Sequence, residues 1–461
     1  MQAVDVPQLA RAAAEPERFG GFSGPDAPPV DVIRSCVHCG FCLPACPTYR
    51  VTMRERSSPR GRISLIKSVS EGKLDIMDAT FQEEMYLCLN CRACEAACPS
   101  GVKYGELVET ARAQIEATVK RPPQVRAARA AAFQGAFADM RRFRTLSRAL
   151  KLYQRSGAQR AVRRSGALKL MRLEQQEAML PELSDDFLIP GREHWRAEGE
   201  RRGTVALLAG CVMSTAYADV HRATARVLAR NGFDVIVPPN QGCCGALAIH
   251  SGDLEAGRAA ARANIDAFNS AEIDAVIVNS AGCGAAMKEY DFLLRNDPAY
   301  AEVARRFTGS VQDVTEFLIA RGLTAQPGRL EMTVTYQEPC HLVHAQRVAV
   351  QPRALMAAIP GLTLVEMPES SLCCGSAGIY NLLQPDMSST LLGRKLDNAA
   401  KTGAPTIVSA NPGCMLQLQS GLRQRGTETN VVHIMTLLDQ AYAADEAIAS
   451  TGDALALAET R

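Results

Sequence analysis

The sequence contains the stretch Cys36-Val37-His38-Cys39-Gly40-Phe41-Cys42-Leu43-Pro44-Ala45-Cys46-Pro47. Its four thiols are spaced C-x2-C-x2-C-x3-C and are followed by proline. The same spacing recurs in Cys88-Leu89-Asn90-Cys91-Arg92-Ala93-Cys94-Glu95-Ala96-Ala97-Cys98-Pro99. Three thiolates two residues apart can curl round one face of an iron–sulfur cube, whereas the fourth cysteine and its proline turn the chain away. The two copies therefore predict two [4Fe–4S] clusters.

The spacing also predicts which thiols share a cluster. In bacterial two-cluster ferredoxins the fourth cysteine of each run ligates the cluster of the other run. We therefore expect the first cluster to be held by Cys36, Cys39, Cys42 and Cys98. We expect the second to be held by Cys88, Cys91, Cys94 and Cys46. Two four-thiol zinc sites are the alternative, but zinc sites usually pair two C-x2-4-C units across a long gap.

Length and composition limit the class of protein. The chain has 461 residues, a length that predicts two to four domains. Its formal net charge is +2. No apolar run approaches the roughly 20 residues of a membrane helix, and the N-terminus lacks the pattern of a secretory signal. The sixteen cysteines are therefore predicted to be reduced thiols in a cytoplasmic protein. Any membrane contact is expected to be peripheral, on the cytoplasmic face of the inner membrane, or through partners.

The predicted fold class is α+β with several domains. The predicted order is an N-terminal arm (1–30), a helix-bearing two-cluster ferredoxin domain (31–118), a basic helical linker (119–202), two α/β domains with parallel sheets (203–325 and 326–445) and a C-terminal tail (446–461).

The linker is distinguished by its charge. Residues 120–172 contain fifteen Lys or Arg and one acid, Asp139, a net charge of +14, so the rest of the chain carries about −12. Apolar residues from Phe133 to Leu150 recur at helical spacing, which predicts an amphipathic basic helix or helix pair. Two interpretations stay open: a docking surface for an acidic partner or anionic lipid, and a connector whose apolar stripe packs on the ferredoxin domain.

The C-terminal half contains an internal duplication. Each copy alternates apolar strands with helices, which predicts a parallel sheet covered by helices, and corresponding cysteines are offset by 129 to 131 residues. These cysteines follow the carboxyl ends of three successive strands, where open parallel sheets bind ligands. Each copy is thus a possible further metal site: Cys211, Cys243, Cys244 and Cys283 in the first, and Cys340, Cys373, Cys374 and Cys414 in the second.

The paired-cysteine pattern resembles the cysteine-rich CCG domain, a duplicated module shared with the B subunit of heterodisulfide reductase. In that subunit the last element is C-x-x-C, and the domain can hold a noncubane iron–sulfur cluster. Here Ser280 and Asn411 replace the first cysteine of that element. An iron–sulfur cluster, a zinc ion, and empty or redox-active thiols all stay open for these sites.

The whole layout resembles the iron–sulfur subunit of bacterial glycolate oxidase, from about residue 33 to the C-terminus. Besides the cysteine runs, the resemblance includes Cys46-Pro47-Thr48-Tyr49, Pro59-Arg60-Gly61-Arg62-Ile63, Cys98-Pro99-Ser100-Gly101-Val102, Ser280-Ala281-Gly282-Cys283-Gly284-Ala285 with Lys288-Glu289-Tyr290, and Leu372-Cys373-Cys374-Gly375-Ser376-Ala377-Gly378. It implies flavoprotein partners that oxidise glycolate to glyoxylate while this chain relays electrons to a quinone-level acceptor. Related subunits of glycerol-3-phosphate and lactate dehydrogenases share the layout.

The sequence itself favours this division of labour. It has no dinucleotide fingerprint such as G-x-G-x-x-G, so FAD is expected on partner subunits and no substrate site on this chain. A heterodisulfide-reductase-like thiol/disulfide enzyme and a structural zinc scaffold are the alternatives. Among single residues, Arg92 is expected to be a solvated loop residue rather than one that tunes a cluster. His341 and His344 are expected to make local hydrogen bonds rather than to ligate metal.

Overall fold

The computed structural model describes residues 21–171 and 173–444. The predicted C-terminal tail (446–461) and residues 1–20 of the predicted arm lie outside the described residues.

The N-terminal part is helical, with both cysteine runs lying between helices. Its helices are Val30–Arg34, Pro47–Thr52, the 3-10 turn Glu55–Ser57, Pro59–Ser70, Ala79–Leu87, Ala93–Ala96 and Tyr104–Thr118. The helix Pro59–Ser70 begins where the Ser58 side chain accepts a hydrogen bond from the backbone N–H of Gly61, with proline in the first turn. Ile66, Phe81 and Leu107 join three of these helices in one apolar core. That core holds the two runs against each other.

The linker is also helical, as predicted. Its helices are Pro123–Ala130, a π turn Ala131–Ala136, Met140–Arg155, Ala158–Ser165, Ala167–Leu170 and Glu174–Ala178. Asp139 caps the longest of them by accepting hydrogen bonds from the backbone N–H groups of Arg141 and Arg142. Phe137, Met140 and Phe143 pack against the core of the first repeat. Of the two interpretations left open, packing of the apolar stripe on the ferredoxin domain is therefore not what these three residues show.

The first repeat is a five-stranded sheet in the order β1-β3-β2-β4-β5. Its strands are β1 (His194–Trp195), β2 (Gly203–Leu207), β3 (Phe233–Ile236), β4 (Ala275–Val278) and β5 (Val311–Asp313). All neighbours pair in parallel except β1 and β3, which are antiparallel. The covering helices are Val212–Ala216, Ala218–Arg230, Ala246–His250, Leu254–Asn269, Ala281–Met287, Tyr290–Leu293, Ala301–Ser310 and Val314–Arg321.

The second repeat has the same topology without the antiparallel edge strand. Its strands are β6 (Met332–Tyr336), β7 (Leu362–Leu364), β8 (Thr406–Ser409) and β9 (Asn430–His433), and they pair in parallel in the order β7-β6-β8-β9. The covering helices are a π turn His341–Ala345, Val350–Ala357, Tyr380–Leu383, Pro385–Ala400, Pro412–Arg425 and residues 434–444. The predicted mixed fold, with a helical ferredoxin part and two parallel α/β sheets, is confirmed.

The two repeats share one apolar core, and the carboxyl ends of their strands lie close to each other. Val205 and Val334, which occupy corresponding strands, belong to the same buried cluster. At the carboxyl edges the backbone N–H of Ala281 donates to the carbonyl of Ala410, and His433 bonds to the carbonyl of Asn279. The strand ends that carry the cysteines are therefore close to the boundary between the repeats, where the second cysteine run also packs.

Candidate metal centres and the junction between them

The first predicted ligand set lines a single cavity at the protein surface. Its wall contains all four predicted thiols, Cys36, Cys39, Cys42 and Cys98, and also Cys94. Cys39 is exposed, and Val37 and Phe41 beside it are 68% and 66% exposed. Among the described residues, no three His, Cys, Asp or Glu side chains are arranged to hold a single metal ion. The four predicted thiols line one common cavity.

The second predicted ligand set is buried. Cys46, Cys88, Cys91 and Cys94 are each at most 8% exposed. Cys88 and Cys94 belong to one buried cluster. Burial raises the pKa of Cys94, and the charges of Cys91, Glu95, Cys88 and Cys46 raise it further. The backbone N–H of Asn90 and the hydroxyl of Tyr104 donate to Cys88 Sγ at 3.3 and 3.6 Å. Such hydrogen bonds to sulfur tune a cluster's potential.

A buried arginine, Arg62, lies near the second predicted set of thiol ligands. Arg62 is 1% exposed and donates to the Thr48 hydroxyl, to the backbone carbonyl of Glu84 and to the Glu84 carboxylate. Burial opposes its charge, but Cys88, Tyr104, Cys46 and Glu84 hold its pKa above the usual value. The donor chemistry therefore fits an anionic cluster, because a fixed cation lies next to two of the four thiols.

The predicted thiols of each repeat converge as expected from the strand ends. In the first repeat Cys211 Sγ and Cys243 Sγ are 3.6 Å apart, and Cys244 and Cys283 belong to the same buried region. In the second repeat Cys340 and Cys373 share one buried cluster, and the neighbouring thiols Cys374 and Cys414 shift each other's pKa values. Hydrogen bonds from neighbouring thiols lower the pKa of one cysteine in each set, Cys243 and Cys374.

The second ferredoxin run packs directly on the second repeat. Cys91 and Leu89 belong to the same buried cluster as Cys373 and Tyr380, with Cys340 at its edge. Burial, and next to it the charge of Cys340, raise the pKa of Cys91. The Tyr380 hydroxyl donates to the carbonyl of Leu87 at 2.9 Å, just before the run begins. The second predicted cluster site and the second repeat's thiols are therefore neighbours.

Polar groups fill the rest of the junction. The carbonyl of Asn90 accepts a hydrogen bond from His341 Nε2 at 2.8 Å, and the Asn90 amide donates to Glu109 at 2.6 Å. His250 Nδ1 lies 2.9 Å from the same Glu109 carboxylate. Burial lowers the pKa of His341 to about 3, which keeps its ring neutral. His344 bonds to the carbonyl of Ser371 at 3.1 Å. The hydrogen bond of His344 stays within the second repeat, whereas that of His341 reaches a residue 251 positions away in the ferredoxin part.

Arg92 does not behave as expected. It is 4% exposed rather than solvated, and it contacts the carboxylates of Glu95 at 2.9 Å, Glu289 at 2.8 Å and Glu109 at 3.5 Å. Gly105 permits this position, since a Cβ there would lie 1.7 Å from the Arg92 guanidinium carbon. The expectation was wrong because Glu289 comes from the first repeat, 197 residues away.

Comparison with known protein families identifies the separate parts. Residues 32–102 match the 4Fe-4S dicluster domain, and residues 205–288 and 334–419 match the cysteine-rich domain. Residues 124–180 match the linker region of the glycolate oxidase iron-sulfur subunit, so the linker is itself a family feature. The chain is 41% identical over 415 residues to the probable glycolate oxidase iron-sulfur subunit of Bacillus subtilis (strain 168), covering 88% of this chain and 93% of that protein.

The chain belongs to the family of glycolate oxidase iron–sulfur subunits. A second member, the glycolate oxidase iron-sulfur subunit of Escherichia coli (strain K12), is 37% identical over 415 residues, covering 89% of this chain and 94% of that protein. The lactate utilization protein A of Oceanobacillus iheyensis is 30% identical over 236 residues, which is 51% of this chain and 96% of that shorter protein. The predicted [4Fe–4S] clusters are confirmed as a property of this family by the dicluster domain.

The structure gives a role to Ser280 and Asn411, which occupy the position of the first cysteine in the C-x-x-C element of the heterodisulfide reductase B subunit. Ser280 Oγ and the backbone N–H of Gly282 both donate to Asn411 Oδ1, at 3.4 and 3.1 Å, so the two replaced positions meet across the repeats. The Asn411 amide donates to Cys414 Sγ at 3.3 Å. Asn411 thus donates a hydrogen bond to the Cys414 thiol from a position that could otherwise carry a fifth cysteine.

Sequence reasoning missed a charged residue beside the second repeat's thiols. Lys395 is 0% exposed, and its Nζ donates to the backbone carbonyls of Glu369 and Ser370 at 2.7 and 2.9 Å. It lies four residues after the buried Leu391 in the helix Pro385–Ala400. Helical periodicity could therefore have placed it on the buried face.

Proposed function

We propose that this chain is the one-electron relay of a glycolate-oxidising complex. It accepts electrons from a flavoprotein subunit as glycolate is oxidised to glyoxylate, and passes them toward a quinone-level acceptor. Membership in the family of glycolate oxidase iron–sulfur subunits supports the reaction. The arrangement of the thiols supports the relay, since one four-thiol set reaches the surface and the other is buried against a second group of thiols.

The proposed ligand sets are those expected from the spacing. Cys36, Cys39, Cys42 and Cys98 hold the first cluster, and Cys88, Cys91, Cys94 and Cys46 hold the second. The shared cavity supports the first set, and the burial of all four thiols supports the second. When bound, the clusters supply reversible one-electron transfer; the chain supplies their thiolates, the sulfur hydrogen bonds and the charge of Arg62.

The surface site is the proposed entry point. Val37 and Phe41 are exposed apolar side chains on the same loop as the exposed Cys39. Electron transfer needs close approach, and an exposed ligand with an apolar rim suits docking of a redox partner. FAD belongs to that partner in this proposal, and the substrate is chosen there.

The proposed location is the cytoplasm, with at most peripheral membrane contact. No helix within residues 21–171 and 173–444 is both long and apolar enough to cross a membrane. The exposed cations of the linker, such as Arg141, Arg148 and Arg160, are available for an acidic partner or anionic lipid.

The ligand sets can be tested by electron paramagnetic resonance (EPR) on anaerobically purified chain reduced stepwise with dithionite. We expect two reduced [4Fe–4S] signals, of which Cys39→Ala removes or converts one and Cys91→Ala the other. Ser35→Ala, next to the first run, is the matched control and should keep both signals. If both cysteine variants altered the same signal, or neither did, the ligand sets would be wrong.

A further inference from the structure

The two four-thiol sites of the repeats differ in charge although their surroundings are duplicated. The helices Leu254–Asn269 and Pro385–Ala400 both have sixteen residues and both follow the paired cysteines. Lys395 and Asn264 are each the eleventh residue of their helix, and each is 0% exposed. The duplicated position thus carries an ammonium group in the second repeat and a neutral amide in the first.

The Asn264 amide makes its hydrogen bonds to the paired-cysteine loop and to the Tyr290 hydroxyl. Asn264 Oδ1 accepts from the backbone N–H of Gly242, and its Nδ2 donates to the carbonyl of Cys243, both at 2.9 Å. The Tyr290 hydroxyl donates to the carbonyl of Cys244 at 2.8 Å. These contacts hold the paired-cysteine loop in place without adding a charge.

Lys395 lacks a counter-ion among the described residues. Its two hydrogen bonds go to backbone carbonyls, and the nearby Glu369 carboxylate instead contacts Arg394, Arg50 and Asn398. A fully buried, unpaired cation is costly, so its position calls for an anion. The two carbonyls belong to residues four and three positions before Cys373, in the loop that leads to the paired cysteines. Leu391, one turn earlier on the same helix, shares a buried cluster with Cys373. Lys395 is therefore buried against the paired-cysteine loop, where a cluster held by these thiols would supply the anion.

The four-thiol sites of the two repeats differ in two further respects. Cys340 and Cys373 share a buried cluster with Cys91, a thiol of the second ferredoxin run. Among the described residues, the cluster around the first repeat's thiols includes the ferredoxin residue Ala113 but no ferredoxin cysteine. Cys414 also receives the hydrogen bond from the Asn411 amide. A buried cation and a hydrogen bond to sulfur both favour the more reduced, more negative state of an iron–sulfur cluster.

We propose that the thiols of the second repeat, Cys340, Cys373, Cys374 and Cys414, hold the iron–sulfur centre that receives electrons from the second ferredoxin cluster, and that Lys395 sets the electron affinity of this centre. The first repeat's site is off this route. One electron leaves the ferredoxin cluster, which is oxidised, and enters the second-repeat centre, which is reduced. No bond forms or breaks, and Lys395 offsets the added negative charge. The inference rests on the proposed relay function.

The first test compares Lys395→Met with Lys401→Met, an exposed lysine at the end of the same helix. Each full-length chain is titrated reductively and followed by EPR. We expect Lys395→Met to weaken the electron affinity of one centre at least about ten-fold, a shift of about 59 mV to lower potential for one electron. Lys395→Arg should restore most of the shift, and Lys401→Met should leave every potential unchanged. Equal potentials in Lys395→Met and the natural chain would overturn the proposal.

The second test does not depend on the folding of a lysine variant. The natural chain should contain about twelve irons and, when fully reduced, show magnetic interaction between the second ferredoxin cluster and a third centre. Cys374→Ala should lose about four irons and that interaction, whereas Cys244→Ala, the matched cysteine of the first repeat, should keep the interaction. Eight irons in the natural chain, or loss of the interaction in Cys244→Ala alone, would refute the assignment. Either result would leave the two ferredoxin signals, and hence the relay proposal, intact.

Discussion

Replacing Arg62 by methionine is expected to destabilise the ferredoxin part strongly. The substitution removes four hydrogen-bond contacts, to Thr48 Oγ1, the Glu84 carbonyl and the Glu84 carboxylate. It also leaves a carboxylate that is 2% exposed without its buried partner. Breaking a buried ion pair costs about 3–5 kcal/mol. Because Arg56 and the Ser57 hydroxyl still contact Glu84, we expect a value near the lower limit, about 3 kcal/mol.

The assay is anaerobic urea denaturation of the cluster-loaded chain, followed by the visible absorbance of the clusters. Lys67→Met is the matched control, because Lys67 lies on the same helix but pairs with Glu71 at the surface, 3.8 Å away. An exposed pair of this kind is worth about 0–1 kcal/mol. The double variant Arg62→Met/Glu84→Gln should recover much of the loss, since no buried charge is then unpaired. If Arg62→Met unfolded at the same urea concentration as Lys67→Met, the argument from the buried pair would be refuted.

Three further outcomes follow from particular contacts. Gly61→Ala should destabilise the chain by about 1–3 kcal/mol, because its Cβ would lie 2.0 Å from the carbonyl oxygen of Glu55. Gly309→Ala, in an open helical position, should instead stabilise the chain by about 0.5–1 kcal/mol. Thermal unfolding of both variants measures the difference. Burial raises the pKa of Glu109, but hydrogen bonds from His250 and the charge of Arg92 outweigh it and lower the pKa to about 2 from 4.5. Above pH 4.5 its carboxylate therefore contributes about 3 kcal/mol to the free energy of unfolding, and this contribution is lost as the pH falls through 2. Glu109→Gln should therefore make the free energy of unfolding less dependent on pH below 4.5. Tyr104→Phe removes the hydroxyl that donates to Cys88 Sγ and should lower the midpoint potential of one ferredoxin cluster without loss of iron; an unchanged potential in the EPR titration would contradict this role.

Much of the site could be predicted because its signals are local or periodic. The C-x2-C-x2-C-x3-C spacing fixes which thiols can surround a cluster, and the offset of about 130 residues shows that the two sheets are copies. The three cysteine-bearing strands predicted for each repeat are present, as β2, β3 and β4 in the first and β6, β7 and β8 in the second. The fourth strands, β5 and β9, were not predicted. β5 has only three residues, Val-Gln-Asp, and its first residue directly follows a helix, so no apolar run marks it.

The junction could not be predicted, because its partners are distant in sequence. Arg92, Glu109 and Glu289 each resemble a solvated charge when the chain is considered locally, and only the packing of the ferredoxin part between the repeats brings them together. The destination of the linker's apolar stripe was missed for the same reason. A helical pattern identifies the apolar face but not the surface that covers it.

The most direct test of the relay is to ask where glycolate delivers its electrons. The purified chain, and a complex reconstituted from it and the proposed flavoprotein partner, are each mixed anaerobically with glycolate and followed by EPR. The chain alone should stay oxidised, and the complex should develop the reduced iron–sulfur signals of this chain as glyoxylate forms. Reduction of the isolated chain by glycolate, or glyoxylate formation in the complex without reduction of these signals, would contradict the account.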